Sequence, residues 1–200
     1  MIAGIVLAAG DGTRFGGIKQ LARLDGRPLL QHALEAVEAT EVSPVVVILG
    51  AAADEIVAEV DLRGATPVVC DRWAEGPAAS LACGLSELPG CEAAVVTLGD
   101  QPRLAPEAIR RVISARGAQP AVRATYGGEP GHPVLLEHEL FDRVRDVSGD
   151  HGARNLLRSL PVRTVECEDL GGGQDVDTTA QLEALQGTDG VVPILKREGQ

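Results

Sequence analysis

Leu7-Ala8-Ala9-Gly10-Asp11-Gly12-Thr13-Arg14-Phe15-Gly16-Gly17-Ile18-Lys19 is the stretch on which the fold of this 200-residue chain turns. It follows a short apolar, β-rich run, Ile2 to Ala8. A glycine-rich turn after a buried strand presents backbone N–H groups that can surround phosphate oxygens. Arg14 and Lys19 add local positive charge to a chain whose formal net charge is −11. Two familiar anion loops do not fit. A dinucleotide fingerprint needs glycine at position 15 and an acidic residue ending the second strand, and these positions hold Phe15 and Gly50. A P-loop needs Gly-Lys-Ser/Thr, whereas Gly17 is followed by Ile18, Lys19 and Gln20. The loop is anion-binding in type and belongs to neither class.

Working outward, apolar strands and amphipathic helices alternate. Pro28 to Ala39 has helical periodicity, with Leu29, Leu30, Ala33, Leu34 and Val37 on one face. Further strands are expected at Pro44 to Leu49, Thr66 to Cys70 and Ala93 to Leu98. Further helices are expected at Asp54 to Val60, Ala78 to Leu88 and Pro106 to Arg116. Continuous apolar strands between such helices predict a three-layer α/β fold around a mostly parallel sheet. Beyond Gln119, Pro120 to Thr125, Gly127-Gly128 and Val134 to Leu136 read as a hairpin-like insertion. Helical stretches at Leu140 to Val147 and Gly152 to Leu160, a strand at Val162 to Val165 and a helix at Thr178 to Leu185 complete the pattern. We expect one domain over residues 1–187 and a tail over 188–200.

Composition narrows the function classes. Apolar residues make up 44%, enough for a core, but aromatics make up only 2%, so base stacking must use aliphatic or backbone surfaces. An acidic chain repels a polyanion, which argues against a nucleic-acid partner. No apolar run approaches membrane-spanning length, so no membrane partner is expected. Cys70, Cys83, Cys91 and Cys167 form no C-x-x-C pair and read as scattered thiols of a reducing, cytoplasmic protein.

Two acidic positions stand out. Asp100 follows the apolar run Ala93 to Leu98, and ligands of open α/β sheets sit outside the carboxyl ends of strands. A hard carboxylate oxygen beside phosphates is what magnesium needs. Read by itself, Asp100 is equally a turn aspartate before a proline. In Asp175-Val176-Asp177-Thr178-Thr179, Asp177 is either a second metal ligand or the N-cap of the following helix.

The opening loop resembles the signature L-A-A-G-x-G-x-R-x-G-x-x-K of nucleotidyltransferases with a Rossmann-like, GT-A-type fold, matched at every fixed position. Three further segments resemble one branch of that superfamily. They are Gly76 to Leu85 (G-x-x-x-S-L-x-x-G-L), Gly131-His132-Pro133-Val134, and Gly149-Asp150-His151-Gly152-Ala153-Arg154. Together they are similar to the molybdenum cofactor cytidylyltransferases and related MobA-like NTP transferases. That branch often has serines where this chain has Pro77, Ala78 and Ala79, so the base pocket carries fewer hydroxyls.

The resemblance implies magnesium-dependent transfer of NMP from an NTP, CTP favoured, to a phosphate-bearing acceptor such as molybdopterin, with release of pyrophosphate. It implies nucleotide contacts from Leu7, Ala8, Ala9, Gly10, Gly12, Gly76, Ser80 and Asp100, with Arg14 and Lys19 on the phosphates. Asp100 and Asp177 are implied as metal ligands. Gly131, His132, Pro133 and Arg154 are implied at the acceptor. Plainer structural readings coexist: Ser80 as a helix cap, His132 as a surface turn histidine, and Gly149-Asp150 as a helix start. Competing functions are a guanylyl or sugar-1-phosphate transferase on the same scaffold, and a non-catalytic nucleotide- or pterin-binding maturation factor that partners a molybdoenzyme.

Overall fold

A computed structural model describes residues 1–146 and 152–186, with side chains left out of the description at 152–154. The quoted Gly149-Asp150-His151 and the tail at 188–200 lie outside the described residues, as does the side chain of Arg154.

The first half is the alternation that the apolar runs predict: β1 (Ile2–Ala8), α1 (Leu29–Glu38), β4 (Val45–Leu49), α2 (Ala53–Glu59), β5 (Thr66–Val69), α3 (Pro77–Ser86), β6 (Ala93–Leu98) and α4 (Pro106–Ser114). A two-residue ribbon, β2 (Arg23–Leu24) and β3 (Arg27–Pro28), lies between β1 and α1. Its Asp25-Gly26 turn has positive φ at both residues, the conformation that a tight hairpin requires. The second half adds β7 (Ala121–Tyr126), β8 (Glu129–Glu137), α5 (Phe141–Arg145), α6 (Gly152–Arg158), β9 (Val162–Glu166) and α7 (Thr179–Gln186).

Seven strands form one sheet in the order β5-β4-β1-β6-β8-β7-β9. Only β8 runs against its neighbours β6 and β7; the other pairings are parallel. This corrects the expectation of a hairpin-like insertion. The turn at Gly127-Gly128 does join antiparallel strands, but β8 is wedged beside β6, so the hairpin extends the central sheet. Alternate residues of each strand feed two cores, as pleating demands. Val6, Val47, Leu49 and Val95 pack with Leu34, Val37, Ile56 and Ile109 of the helices on one face. Ile5, Ile48 and Val96 pack with Leu81, Leu85, Phe141 and Val144 on the other. Gly84 lets α3 lie close to the sheet, since a Cβ there would sit 3.0 Å from Ile5 Cγ2.

Cys70 and Cys83 are joined in a disulfide between the end of β5 and α3, with Cα atoms 5.9 Å apart. The reading of four separate thiols is corrected here, because the chain folds α3 back across β5 within thirteen residues. Among the described residues no helix is long and apolar enough to cross a membrane.

The register sets up the site. Leu7 faces Ile48 on one side and Leu98 on the other, so the chain leaves β1, β4 and β6 at one level. Gly50 and Gly99 make the close approach possible. A Cβ on Gly50 would lie 2.4 Å from the Ala9 carbonyl oxygen, and one on Gly99 would lie 3.0 Å from Ala8 Cβ.

Leu85 is fully buried between α3 and the sheet. Leu85→Ala is expected to lower unfolding free energy by about 2–5 kcal/mol through lost burial and the cavity left behind. Urea denaturation followed by circular dichroism measures it.

Candidate active site

The loop after β1 is built from its own short-range bonds. The Phe15 and Gly16 amides donate to the Gly12 carbonyl, both at 2.9 Å. The Asp11 carboxylate accepts from the Thr13 amide and hydroxyl. Gly12 has φ +66°, and a Cβ there would sit 2.0 Å from the Gly17 carbonyl oxygen, so only glycine closes this turn. Gly10 has open space beside it. Buried Gln20 pins the loop to the strand end, its Nε2 donating to the Ala8 and Gly10 carbonyls at 2.6 and 2.9 Å.

The loop walls a small cavity of about 90 Å³ lined by residues 10–15, Lys19 and Asp177. Lys19 Nζ donates to Asp100 Oδ2 at 2.6 Å and to Asp177 Oδ1 at 3.1 Å. Its side chain is 13% exposed. Arg14 Nη1 lies 3.3 Å from Asp177 Oδ2 on a largely exposed side chain. Burial disfavours the Lys19 ammonium, but the charge of Asp100 and the hydrogen bonds to both carboxylates outweigh it and hold its pKa above the ordinary lysine value. Asp100 Oδ1 is buried and has no hydrogen-bond partner in the protein.

Segment 173–177 is tied to the end of β6. The Val176 amide donates to the Asp100 carbonyl at 2.9 Å, and Gln101 Nε2 donates to Asp175 Oδ1 at 2.6 Å. More than a third of Asp175 reaches solvent, yet its carboxyl is turned onto buried Gln101. Lost hydration and then the nearby Asp100 charge push its pKa up to about 6, against the Gln101 hydrogen bond.

Of the two readings of Asp177, the helix cap falls to its neighbour. Thr178 Oγ1 accepts from the Gln181 amide while Gln181 Oε1 accepts from the Thr178 amide, a reciprocal capping box. Thr178 is the cap, so α7 begins at Thr179, one residue later than periodicity suggests, and Asp177 is left to face Lys19 and Arg14.

A second cavity of about 290 Å³ opens beside Asp175 and Gln101. Leu7, Pro77, Ala78, Leu81, Gly131 and His132 contribute to its walls, with Arg123 and Gly173. Two segments matched to different ligands in the resemblance thus share one chamber. The His132 carbonyl accepts from Tyr126 Oη at 2.9 Å, and the Gly131 carbonyl from Arg123 Nε at 3.1 Å. Gly131 and Gly173 both lie against the Tyr126 ring, where a Cβ would come within 2.8 and 2.5 Å. Pro133 is buried beside the cavity.

Not every expected residue arrives at these cavities. Gly76 (φ 105°) stands at the start of α3, and Ser80 is buried in its second turn, so Ser80 is not the cap. Neither is among the residues lining the larger cavity. Ala8 and Ala9 are buried. Gln20, Gln101, Asp175, Arg123 and Tyr126 were not reached from sequence. Asp175 had a signal, a second carboxylate two residues before Asp177. The Thr178 to Gln181 spacing was also a signal, for the cap.

The donor set suits a hard divalent cation: carboxylate oxygens, one of them buried and unpartnered, beside the small cavity of the glycine-rich loop. Among the described residues no group of three or more His, Cys, Asp or Glu side chains is placed to hold a metal by itself.

The chain matches the MobA-like NTP transferase domain over residues 4–165. It belongs to this nucleotidyltransferase family. Nicotine blue oxidoreductase of Paenarthrobacter nicotinovorans is 33% identical over 195 residues, covering 92% of this chain and 96% of that protein. The crystal structure of Rv0371c from Mycobacterium tuberculosis H37Rv superposes with a TM-score of 0.86 at 32% identity, covering 94% and 97% of the two chains. A structure of Rv0371C in complex with manganese gives 0.82 at 30% identity, covering 94% and 98%. The matched family region includes the opening loop from Gly4 onward, Asp100 and the Gly131 to Val134 strand, and ends at β9, before Asp175 and Asp177.

Gly12→Ala forces the turn open. It is expected to weaken binding of magnesium tripolyphosphate at least about tenfold while the melting temperature falls by only a few degrees. Calorimetric titration beside a thermal melt checks both.

Proposed function

We propose that this protein transfers NMP from a magnesium-bound NTP to a phosphate-bearing acceptor and releases pyrophosphate. The observation that carries this reading is the convergence of Lys19, Asp100 and Asp177 at the mouth of the Gly10 to Phe15 loop. Cation, carboxylates and backbone cradle meet there from three distant parts of the chain. CTP is the favoured donor and molybdopterin the favoured acceptor, because Gly76 to Leu85 and Gly131 to Val134 resemble the cytidylyltransferase branch. The aliphatic walls of the larger cavity suit a heterocycle held without aromatic stacking. The manganese complex of the relative supports use of a divalent metal. We assign the activity to residues 1–187 as one unit acting in the cytoplasm.

In this mechanism the chain's own groups position and neutralise. Amides of Ala9 to Gly12 hold phosphate oxygens. Lys19 moves onto the triphosphate, and Arg14, with its largely exposed side chain, reaches the departing pyrophosphate. Asp100 and Asp177 would hold the metal, which when bound supplies positive charge to the phosphates. Gly131, His132, Pro133 and Arg154 serve the acceptor. An ionised phosphate acceptor needs no general base, so no His/Asp or Ser/His pair is called for.

One observation favours a second reading: the relative at 33% identity is named an oxidoreductase. An NAD-type adenosine site would need an acidic residue at position 50, and the Ala9 carbonyl leaves no room for any side chain there. The deciding assay offers the four NTPs with magnesium, with and without molybdopterin, and reads pyrophosphate. In parallel it offers reduced nicotinamide with nicotine blue and reads dye bleaching. Pyrophosphate release with CTP and molybdopterin supports transfer; bleaching without pyrophosphate overturns it.

Lys19→Ala or Asp100→Ala is expected to remove about 3–4 kcal/mol of transition-state stabilisation, a loss of roughly 10²–10³ in turnover. Circular dichroism should show a retained fold. Normal turnover with either substitution rules out these roles.

A further inference from the structure

We infer that Lys19 is the resident counter-ion of the metal site, so that a free dication binds weakly until a triphosphate draws the ammonium away. The inference rests on the reading that Asp100 and Asp177 hold the metal. Three observations carry it. Lys19 Nζ lies within hydrogen-bond distance of both carboxylates, so it already neutralises the residues that would hold the metal. Its side chain is 13% exposed, so the contact is a packed one and not a loose surface pair. Among the described residues no group of three or more ligating side chains could hold a metal unaided. The remaining ligands of a six-coordinate ion must come from water or from the phosphates.

The same lysine also lines the phosphate cavity beside the loop. Its head can therefore pass from carboxylates to phosphate oxygens by rotation of its own side chain. A free dication approaching the empty cradle meets an ammonium already neutralising its ligands and must displace it with nothing to receive it. A dication arriving on a triphosphate brings the acceptor for that ammonium. The exchange of one cation for another then leaves no buried charge unpaired. Loading in this order keeps the affinity for free metal low.

The test titrates Mn²⁺ into the whole chain without nucleotide, following the free ion by electron paramagnetic resonance. Lys19→Met, which removes the ammonium at nearly constant length, is expected to bind Mn²⁺ at least about tenfold more tightly than the unsubstituted protein. Lys19→Arg, which keeps a cation, should stay weak. Adding Asp177→Asn to Lys19→Met should return binding to the weak level, which places the gain at the carboxylate pair. A thermal melt of Lys19→Met should rise with Mn²⁺ far more than that of the unsubstituted chain, and this readout serves even where the variant is destabilised. Equal or weaker Mn²⁺ binding by Lys19→Met overturns the inference, as does a gain that survives Asp177→Asn. Failure of the transfer reading shows separately, as absence of pyrophosphate with every NTP, and the nucleotide-free titration does not depend on it.

Discussion

An ammonium group shared by two carboxylates holds the candidate site together. Lys19, Asp100 and Asp177 come from the loop after β1, the end of β6 and the segment before α7, separated by 81 and 158 residues from the lysine. Asp100, Asp175 and Asp177 would repel one another if brought together without a cation. With Lys19 between two of them, and Arg14 at the rim, segment 173–177 can close over the strand ends. The main-chain bond from Val176 to Asp100 then fixes the register of that closure. Cradle, carboxylates and the larger cavity consequently share one frame, and a displacement of Lys19 is felt by all three.

That frame depends on backbone passing unusually close to backbone. Gly12, Gly50 and Gly99 are positions where a Cβ would strike a neighbouring main-chain or side-chain atom. Gln20 supplies the complementary constraint by tying two carbonyls of the strand end to the turn. The glycines permit the approach, and the buried amide stops the loop from using that freedom to wander. The result is a tightly closed turn, pinned by Gln20, at the carboxyl ends of the parallel strands, where such sheets bind ligands.

Much of this was legible in the sequence because it is written in local pattern. Apolar runs marked β1, β4 and β6 as buried parallel strands, and the loop glycines marked the tight turn after β1. The place of Asp100 at the carboxyl end of a strand was legible because it lies two residues past an apolar run. What local pattern does not encode is who sits beside whom. The place of β8 between β6 and β7 is a pairing decision made by the whole sheet, so a hairpin read as an insertion proved part of the core. The contacts of Gln101 with Asp175, and of Cys70 with Cys83, depend likewise on how distant segments pack. Ser80 has the right spacing for a ligand-facing residue, yet the helix turns it into the interior. The Thr178-to-Gln181 box, in contrast, was present in the sequence and takes the cap position from Asp177 through elementary helix capping.

Family membership fixes the scaffold more firmly than the reaction, since a relative covering nearly the whole chain bears an oxidoreductase name. The position of the Lys19 ammonium with a triphosphate bound is the decisive observable. A crystal structure with magnesium and a CTP analogue that cannot be cleaved between its α- and β-phosphates addresses it directly. The account predicts the ammonium on phosphate oxygens, the metal against Asp100 and Asp177, and the loop amides around the phosphates. A triphosphate bound elsewhere, with the Lys19 ion pairs intact, would contradict it.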